Sequence, residues 1–183
     1  MSEEVVNLQY TTIKSPLPDF IYEGLKNYSS AGNAYHPQPK QLIDRLAEKF
    51  GVSADMIFLT AGNDEGLQMF AKAFGSNAYA FTPTYSVYRD AEEFGGVLNR
   101  VHSVIEGEYA ILPETRSDAT LIFLANPNNP SGITPRGTVI QLIKNNPHCV
   151  VVIDEAYGEF ADVSVIDMVR EYPHAAVLRS FSK

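Results

Sequence analysis

A chain of 183 residues with 45% apolar and 20% charged side chains has the makeup of one ordinary globular domain, not of a disordered segment. Its formal charge of −8 weighs against nucleic-acid phosphates as a partner but leaves a small anionic substrate open, because local cations decide that. The one cysteine excludes an internal disulfide, and no apolar run approaches the about 20 residues of a membrane-spanning helix.

The opening MSEEVVNLQY lacks a basic stretch followed by an apolar one, so a cytoplasmic protein without a signal peptide is expected. The stretch Ser15-Pro16-Leu17-Pro18 reads as an extended arm, because proline restricts itself and the residue before it. Phe20, Ile21, Gly24, Leu25 and Tyr28 then share a helical face. Asn33 to Pro39 reads as a loop. Leu42, Ile43, Leu46, Ala47 and Phe50 form a second stripe, with Gly51 placed to end it. Residues 1–35 are thus expected as an arm plus first helix, and 36–183 as the main domain.

From Met56 onward short apolar runs alternate with helical spacing. Ile57-Phe58-Leu59 reads as a strand, and Leu67, Phe70, Ala71 and Phe74 as a helical face closed by Gly75. Ala78–Phe81 follows as a strand, Tyr85–Phe94 as a helix, Val97–Val104 as an alternating strand and Leu121–Leu124 as a fully apolar one. A helix around Val139–Ile143, a buried strand Val150–Ile153, a helix marked by Val165, Ile166 and Val169, and a strand Ala175–Leu178 complete the pattern. Such alternation predicts a three-layer α/β/α fold around a mainly parallel sheet. Cys149, at the head of an apolar run, reads as a small buried hydrophobe and not as a reactive thiol. The four histidines, His36, His102, His148 and His174, are scattered without metal-ligand spacing.

In such sheets ligands bind beyond the carboxyl ends of the strands. Four of those ends carry unusual residues. In Thr60-Ala61-Gly62-Asn63-Asp64-Glu65, Gly62 permits a tight turn, and the N–H groups of residues 63–65 open a helix where an anion is stabilised. A plain cap, with Asp64 capping its own helix, is the competing reading. In Ala125-Asn126-Pro127-Asn128-Asn129-Pro130-Ser131-Gly132, two Asn-Pro pairs make either a simple turn or a rigid mount for an amide facing a ligand oxygen. Asp154, at the tip of an apolar strand, calls for a cation or a donor. Asp154-Glu155 also resembles a Walker B element, but the phosphate-binding G-x-x-x-x-G-K-[ST] partner is absent, and no Gly-Lys pair occurs. The last end is Arg179-Ser180-Phe181-Ser182-Lys183, where Ser180 and Ser182 fall on one side of an extended chain or, alternatively, form a frayed polar end.

Taken together these strings resemble the fold-type I aminotransferases. Ala61-Gly62-Asn63-Asp64-Glu65-Gly66, Pro83-Thr84-Tyr85-Ser86-Val87-Tyr88, Asn128-Asn129-Pro130-Ser131-Gly132, Asp154-Glu155-Ala156-Tyr157 and Ser180-Phe181-Ser182-Lys183 carry the resemblance over nearly the whole chain. Within the group it is strongest to the histidinol-phosphate branch. The resemblance implies pyridoxal 5'-phosphate as cofactor. Lys183 matches the lysine whose amine condenses with it, and Asp154 the carboxylate paired with its pyridine nitrogen. Asn129 and Tyr157 match the pair on its phenolic oxygen, Tyr85 the aromatic residue on its ring, and Asn63, Asp64, Ser180 and Ser182 the phosphate cradle. Tyr35 resembles a tyrosine that reaches the phosphate of a neighbouring subunit, though His36 stands where the family has proline.

The resemblance further implies a homodimer and reversible amino transfer from an amino donor, histidinol phosphate, to a 2-oxo acid, 2-oxoglutarate. No nucleic acid or membrane is expected as a partner. Family members continue past the lysine with arginines and a second small domain, so this sequence is expected to be a fragment of a longer enzyme. Two other readings stand beside it. One is a decarboxylase of a phosphorylated amino acid such as phosphothreonine. The other is an inactive fragment that binds cofactor or dimerises.

Overall fold

The structure, a computed structural model, describes residues 11, 15–28, 38–106, 109–111 and 118–183. Three helices come first: α1 Asp19–Tyr28, α2 Lys40–Phe50 and α3 Gly62–Phe74. Then follow β1 Asn77–Thr82, a short α4 Asp90–Glu93, β2 Val97–His102 and the hairpin of β3 Val104–Glu106 with β4 Tyr109–Ile111. The chain continues through β5 Leu121–Ala125, α5 Arg136–Asn145, β6 Val150–Asp154 and β7 Ala175–Leu178. Five strands form one sheet in the order β2-β1-β5-β6-β7, and every adjacent pair is parallel.

β5 is apolar at every position, and β6 at all but its last, because both faces are covered. On one face Ile122, Leu124, Val151 and Ile153 pack with Val139, Leu142 and Ile143 of α5. On the other, Leu121, Phe123 and Val152 pack with Leu67 and Ala71 of α3 and with Tyr88 and Ala91. Helices on two sides of a parallel sheet give the expected three layers. Strand parity then fixes the aim of Asp154. It lies two residues after Val152, on the α3 face.

Eight sequence expectations match closely: the helices α1, α2, α3 and α5, and the strands β1, β5, β6 and β7. Gly51 ends α2 in the left-handed region at φ 64°, donating to Ala47 and Glu48. Four expectations need correction. Ile57–Leu59 is extended but joins no strand among the described residues. Instead the Gln38 carboxamide accepts from the Leu59 N–H at 3.0 Å and donates to its C=O at 2.9 Å, standing in for a neighbouring peptide. The Tyr85–Phe94 segment is a 3₁₀ turn over Ser86–Arg89 running into α4, and it presses Tyr88 flat on Phe123 with ring centroids 5.0 Å apart. The Val97–Val104 strand leaves the sheet at Ser103, whose N–H donates to the Thr82 carbonyl, and β3 then pairs elsewhere. The helix expected at Val165–Val169 is a 3₁₀ turn over Ile166–Arg170, because Glu155 Oε1 and Ser164 Oγ take the N–H groups of Val165 and Ile166.

Among the described residues no helix is long and apolar enough to cross a membrane. Backbone closeness is tightest at Gly96, where an added Cβ would collide with the Gly75 carbonyl. Gly137, in α5, has open space around it. Gly96→Ala is therefore expected to cost about 2–3 kcal/mol in denaturant unfolding. Gly137→Ala should gain about 0.5 kcal/mol by restricting the unfolded chain.

Candidate active site

The sheet's switch point lies between β1 and β5, because β2 follows β1 on one side and β5 returns on the other. The loops beyond the carboxyl ends of β1, β5, β6 and β7 therefore gather around one crevice. They bring Thr84-Tyr85, Asn126–Gly132, Asp154–Tyr157 and Ser180–Lys183 to the same edge. Asp154 and Leu178 are direct partners in the β6–β7 register, so the Lys183 segment leaves the sheet beside Asp154.

Asp154 is 5% exposed, and both of its oxygens are hydrogen-bonded. Its Oδ1 accepts from Asn63 Nδ2 at 2.7 Å and from the Ala156 N–H at 3.0 Å, and its Oδ2 accepts from the Tyr88 hydroxyl at 3.1 Å. Burial pushes its carboxyl above the usual carboxylate range, while the bonds from Asn63, Ala156 and Tyr88 pull the other way. Tyr88, itself buried, is held well above an ordinary phenol, first by desolvation and then by the Asp154 charge. Tyr88 is thus a phenol donor held beside the buried carboxyl of Asp154.

Around Asp154 the other expected residues take these places. Tyr85 stays 46% exposed and sits edge-on to Tyr88, and its hydroxyl donates to both Asp64 oxygens at 3.2 and 3.3 Å. Burial and then the Asp64 charge raise the pKa of Tyr85. Ser180 Oγ and Ser182 Oγ lie 2.7 Å apart, and both border one groove with Gly62 and Asn63 at the start of α3. Lys183 Nζ lies 5.7 Å from the centroid of the Tyr157 ring and donates to Thr11 Oγ1 at 2.7 Å. Asn129 is exposed at the tip of its loop. Tyr35 lies outside the described residues.

The loop after β5 is shaped by amides, as its composition suggested. Asn126 is buried, and its side chain accepts from the Thr134 N–H at 2.9 Å and donates to the Thr134 carbonyl at 3.0 Å. Asn128 accepts from Thr84 Oγ1 at 2.7 Å and donates to the Pro83 carbonyl at 2.8 Å, tying this loop to the one that carries Tyr85.

Sequence reasoning missed two groups. Tyr88 carries no motif of its own in the sequence, and its spacing of three from Tyr85 in a turn that opens with proline is the available signal. The other is Glu155, which is 2% exposed. It accepts from Ser164 Oγ at 2.7 Å, the Val165 N–H at 2.8 Å and Arg179 at 2.7 Å. Arg179 also pairs with Glu159 and lies over the Phe50 ring, 5.3 Å from its centroid. The acidic doublet therefore divides its work: Asp154 faces the crevice and Glu155 anchors β7 from behind.

The residues present fit pyridoxal phosphate. No side chain caps α3, so the N–H groups of Asn63 and Asp64 open the helix toward an anion. Glu65 accepts the Ala61 N–H just before them. Ser180 and Ser182 add hydroxyls, Asp154 adds a buried negative charge suited to a ring cation, and Lys183 adds an amine. Tyr85 offers an aromatic surface.

The family model described as aminotransferase class I and II matches residues 6–183. A histidinol-phosphate aminotransferase of Haemophilus influenzae (strain PittEE) is 33% identical over 157 residues, covering 80% of this chain and 45% of that protein. The chain thus spans about half the length of the curated relatives it matches. Among solved structures, L-threonine-O-3-phosphate decarboxylase from Porphyromonas gingivalis superposes with a TM-score of 0.82 at 21% identity, covering 97% of this chain and 55% of the other. Histidinol-phosphate aminotransferase from Sinorhizobium meliloti, in complex with pyridoxal-5'-phosphate, superposes with a TM-score of 0.75 at 21% identity, covering 92% and 49%. These two likenesses speak for the fold.

Two outcomes follow from the buried acids. A carboxyl whose pKa is raised by folding costs stability when ionised, and that cost fades as pH falls through its folded pKa. Asp154→Asn should therefore raise the thermal midpoint at pH 7, with the two proteins converging below about pH 4. Arg179→Ala leaves Glu155 buried without its cation and should cost about 3 kcal/mol in denaturant unfolding.

Proposed function

The chain belongs to the class I and II aminotransferases, and on that premise we propose that it binds pyridoxal 5'-phosphate and serves reversible amino transfer from histidinol phosphate to 2-oxoglutarate. The observation that carries this reading is the juxtaposition of a buried carboxylate, Asp154, with the Lys183 segment leaving the adjacent strand, its amine over the ring of Tyr157. The histidinol-phosphate substrate is supported by the 33% identity to enzymes of that name.

When bound, the cofactor supplies an aldehyde that accepts the amine and a ring that takes up electrons. Asp154 would hold the ring nitrogen and favour its protonated form, since a nearby negative charge favours the cation. Lys183 Nζ would hold the cofactor through its aldehyde and is the amine that would serve as base and acid at the substrate's α-carbon. Asn129 and Tyr157 orient the phenolic oxygen. The N–H groups opening α3 and the hydroxyls of Ser180 and Ser182 bind the phosphate. Tyr85 stacks against the ring and excludes water from one side.

In the same reading residues 1–35 form the arm and first helix, and 36–183 part of the cofactor-binding large domain. The protein is a cytoplasmic homodimer in which Tyr35 reaches the neighbouring site. These features rest on the family resemblance.

The test uses the full-length protein. Glutamate should form from 2-oxoglutarate when histidinol phosphate is supplied, and borohydride should fix the cofactor on the peptide containing Lys183. Lys183→Ala should lower turnover by about a thousandfold or more and abolish that fixation. Release of carbon dioxide from phosphothreonine, without glutamate formation, would assign the decarboxylase reaction instead. A monomeric mass in sedimentation would remove the dimer.

A further inference from the structure

We propose that the side chains of Asn63 and Asp64 are positioning residues for the two groups that meet the cofactor ring, and that this turn of α3 offers the phosphate only its backbone N–H groups. The inference rests on the cofactor reading above and assigns these two side chains a different role from the phosphate cradle.

Both side chains are already directed elsewhere. The Asn63 amide gives one of its two N–H donors to Asp154 Oδ1 at 2.7 Å, across 91 positions of sequence, and that bond fixes the direction of the side chain. The Asp64 carboxylate takes the Tyr85 hydroxyl on both of its oxygens. An ionised carboxylate has no proton to donate and repels a phosphate dianion, so an attractive role for Asp64 must pass through another group. Two consecutive residues of one helical turn thus reach in different directions. One holds the tip of β6 and the other the loop after β1.

The lone-pair count on Asp154 sharpens this. Oδ1 receives two donors, Asn63 Nδ2 and the Ala156 N–H, which fills it. Oδ2 receives one, the Tyr88 hydroxyl, and keeps a lone pair. By saturating Oδ1, Asn63 fixes the roll of the carboxylate and leaves Oδ2 as the oxygen that faces a ring cation. The Asn63 bond reaches a buried charge and is the stronger tether. The Asp64 bond is exposed and weaker.

Pyridoxal, which has the ring and aldehyde but no phosphate, separates the two roles. Dissociation constants of pyridoxal phosphate and of pyridoxal are measured by visible absorbance on the full-length protein, on Asn63→Ala, on Asp64→Ala and on Asp64→Asn. Asn63→Ala should weaken both ligands by the same factor, about tenfold, leaving their ratio unchanged. Asp64→Ala should weaken pyridoxal by a few fold, and Asp64→Asn, which can still accept from Tyr85, should restore it. The ratio is internal to each variant, so a general loss of folded protein cancels from it.

Selective loss of pyridoxal phosphate binding in Asn63→Ala, with pyridoxal unchanged, would make Asn63 a phosphate ligand and overturn the inference. Unchanged affinity for both ligands in Asn63→Ala overturns it too. If the unsubstituted protein binds neither ligand, the cofactor reading itself fails. That outcome is distinct from the others because it needs no variant.

Discussion

A carboxylate at the tip of a buried strand is unstable unless something answers its charge. β6 is apolar and covered on both faces, and strand parity turns Asp154 toward α3 and away from water. The fold answers with three neutral donors drawn from three places: the start of α3, the turn after β1, and the backbone just past β6. None of the three is a cation. The charge is therefore solvated but not neutralised, and it keeps the capacity to stabilise a positive group brought to it. Much of the crevice can be understood as the means of holding that one acid in place.

The second acid of the doublet shows what neutralisation looks like in the same protein. Glu155 has a guanidinium as well as neutral donors, so its charge is consumed inside the fold. Gly158 makes this possible, because a Cβ there would collide with the Arg179 guanidinium. Arg179 in turn touches Phe50 of α2, so a single cation joins β7, the Glu155 turn and the second helix. Lys183 hangs four residues beyond that anchor. The segment that carries Lys183 is thus tied to the scaffold through the Arg179–Glu155 ion pair.

Most of the architecture was legible because burial on both faces writes itself into strands such as Leu121–Ala125 and Val150–Asp154. Asp154 stood out for the same reason, as a charge where the pattern allowed none. What could not be read depended on contacts distant in sequence. Ile57–Leu59 has the composition of a strand, but its hydrogen bonds go to Gln38, and no local pattern announces a side chain acting as a peptide. The turn at Ile166–Arg170 has helical spacing, yet the N–H of Val165 at its head is taken by Glu155, ten residues upstream. Asn63 was identifiable as a site residue from its loop, but not its partner, because Asp154 lies 91 residues away. The resemblance to a family supplied positions for the cofactor contacts, whereas the links among those contacts, Tyr88 to Asp154 and Thr84 to Asn128, came only from coordinates.

The loop after β5 has a chemical property that its hydrogen bonds do not reveal. Asparagine side chains age by cyclisation, in which the backbone nitrogen of the next residue attacks the amide carbon and releases ammonia. That nitrogen must carry a hydrogen to form the neutral ring, and proline has none. Asn126 and Asn129 are each followed by proline. Asn126 is also the residue whose amide must both donate and accept to close the loop onto Thr134. Conversion to aspartate would place two oxygens against a carbonyl and open the loop. The same prolines that shape the turn thus shield the amides of Asn126 and Asn129 from slow decay, whereas Asn128, which is followed by Asn129, has no such shield.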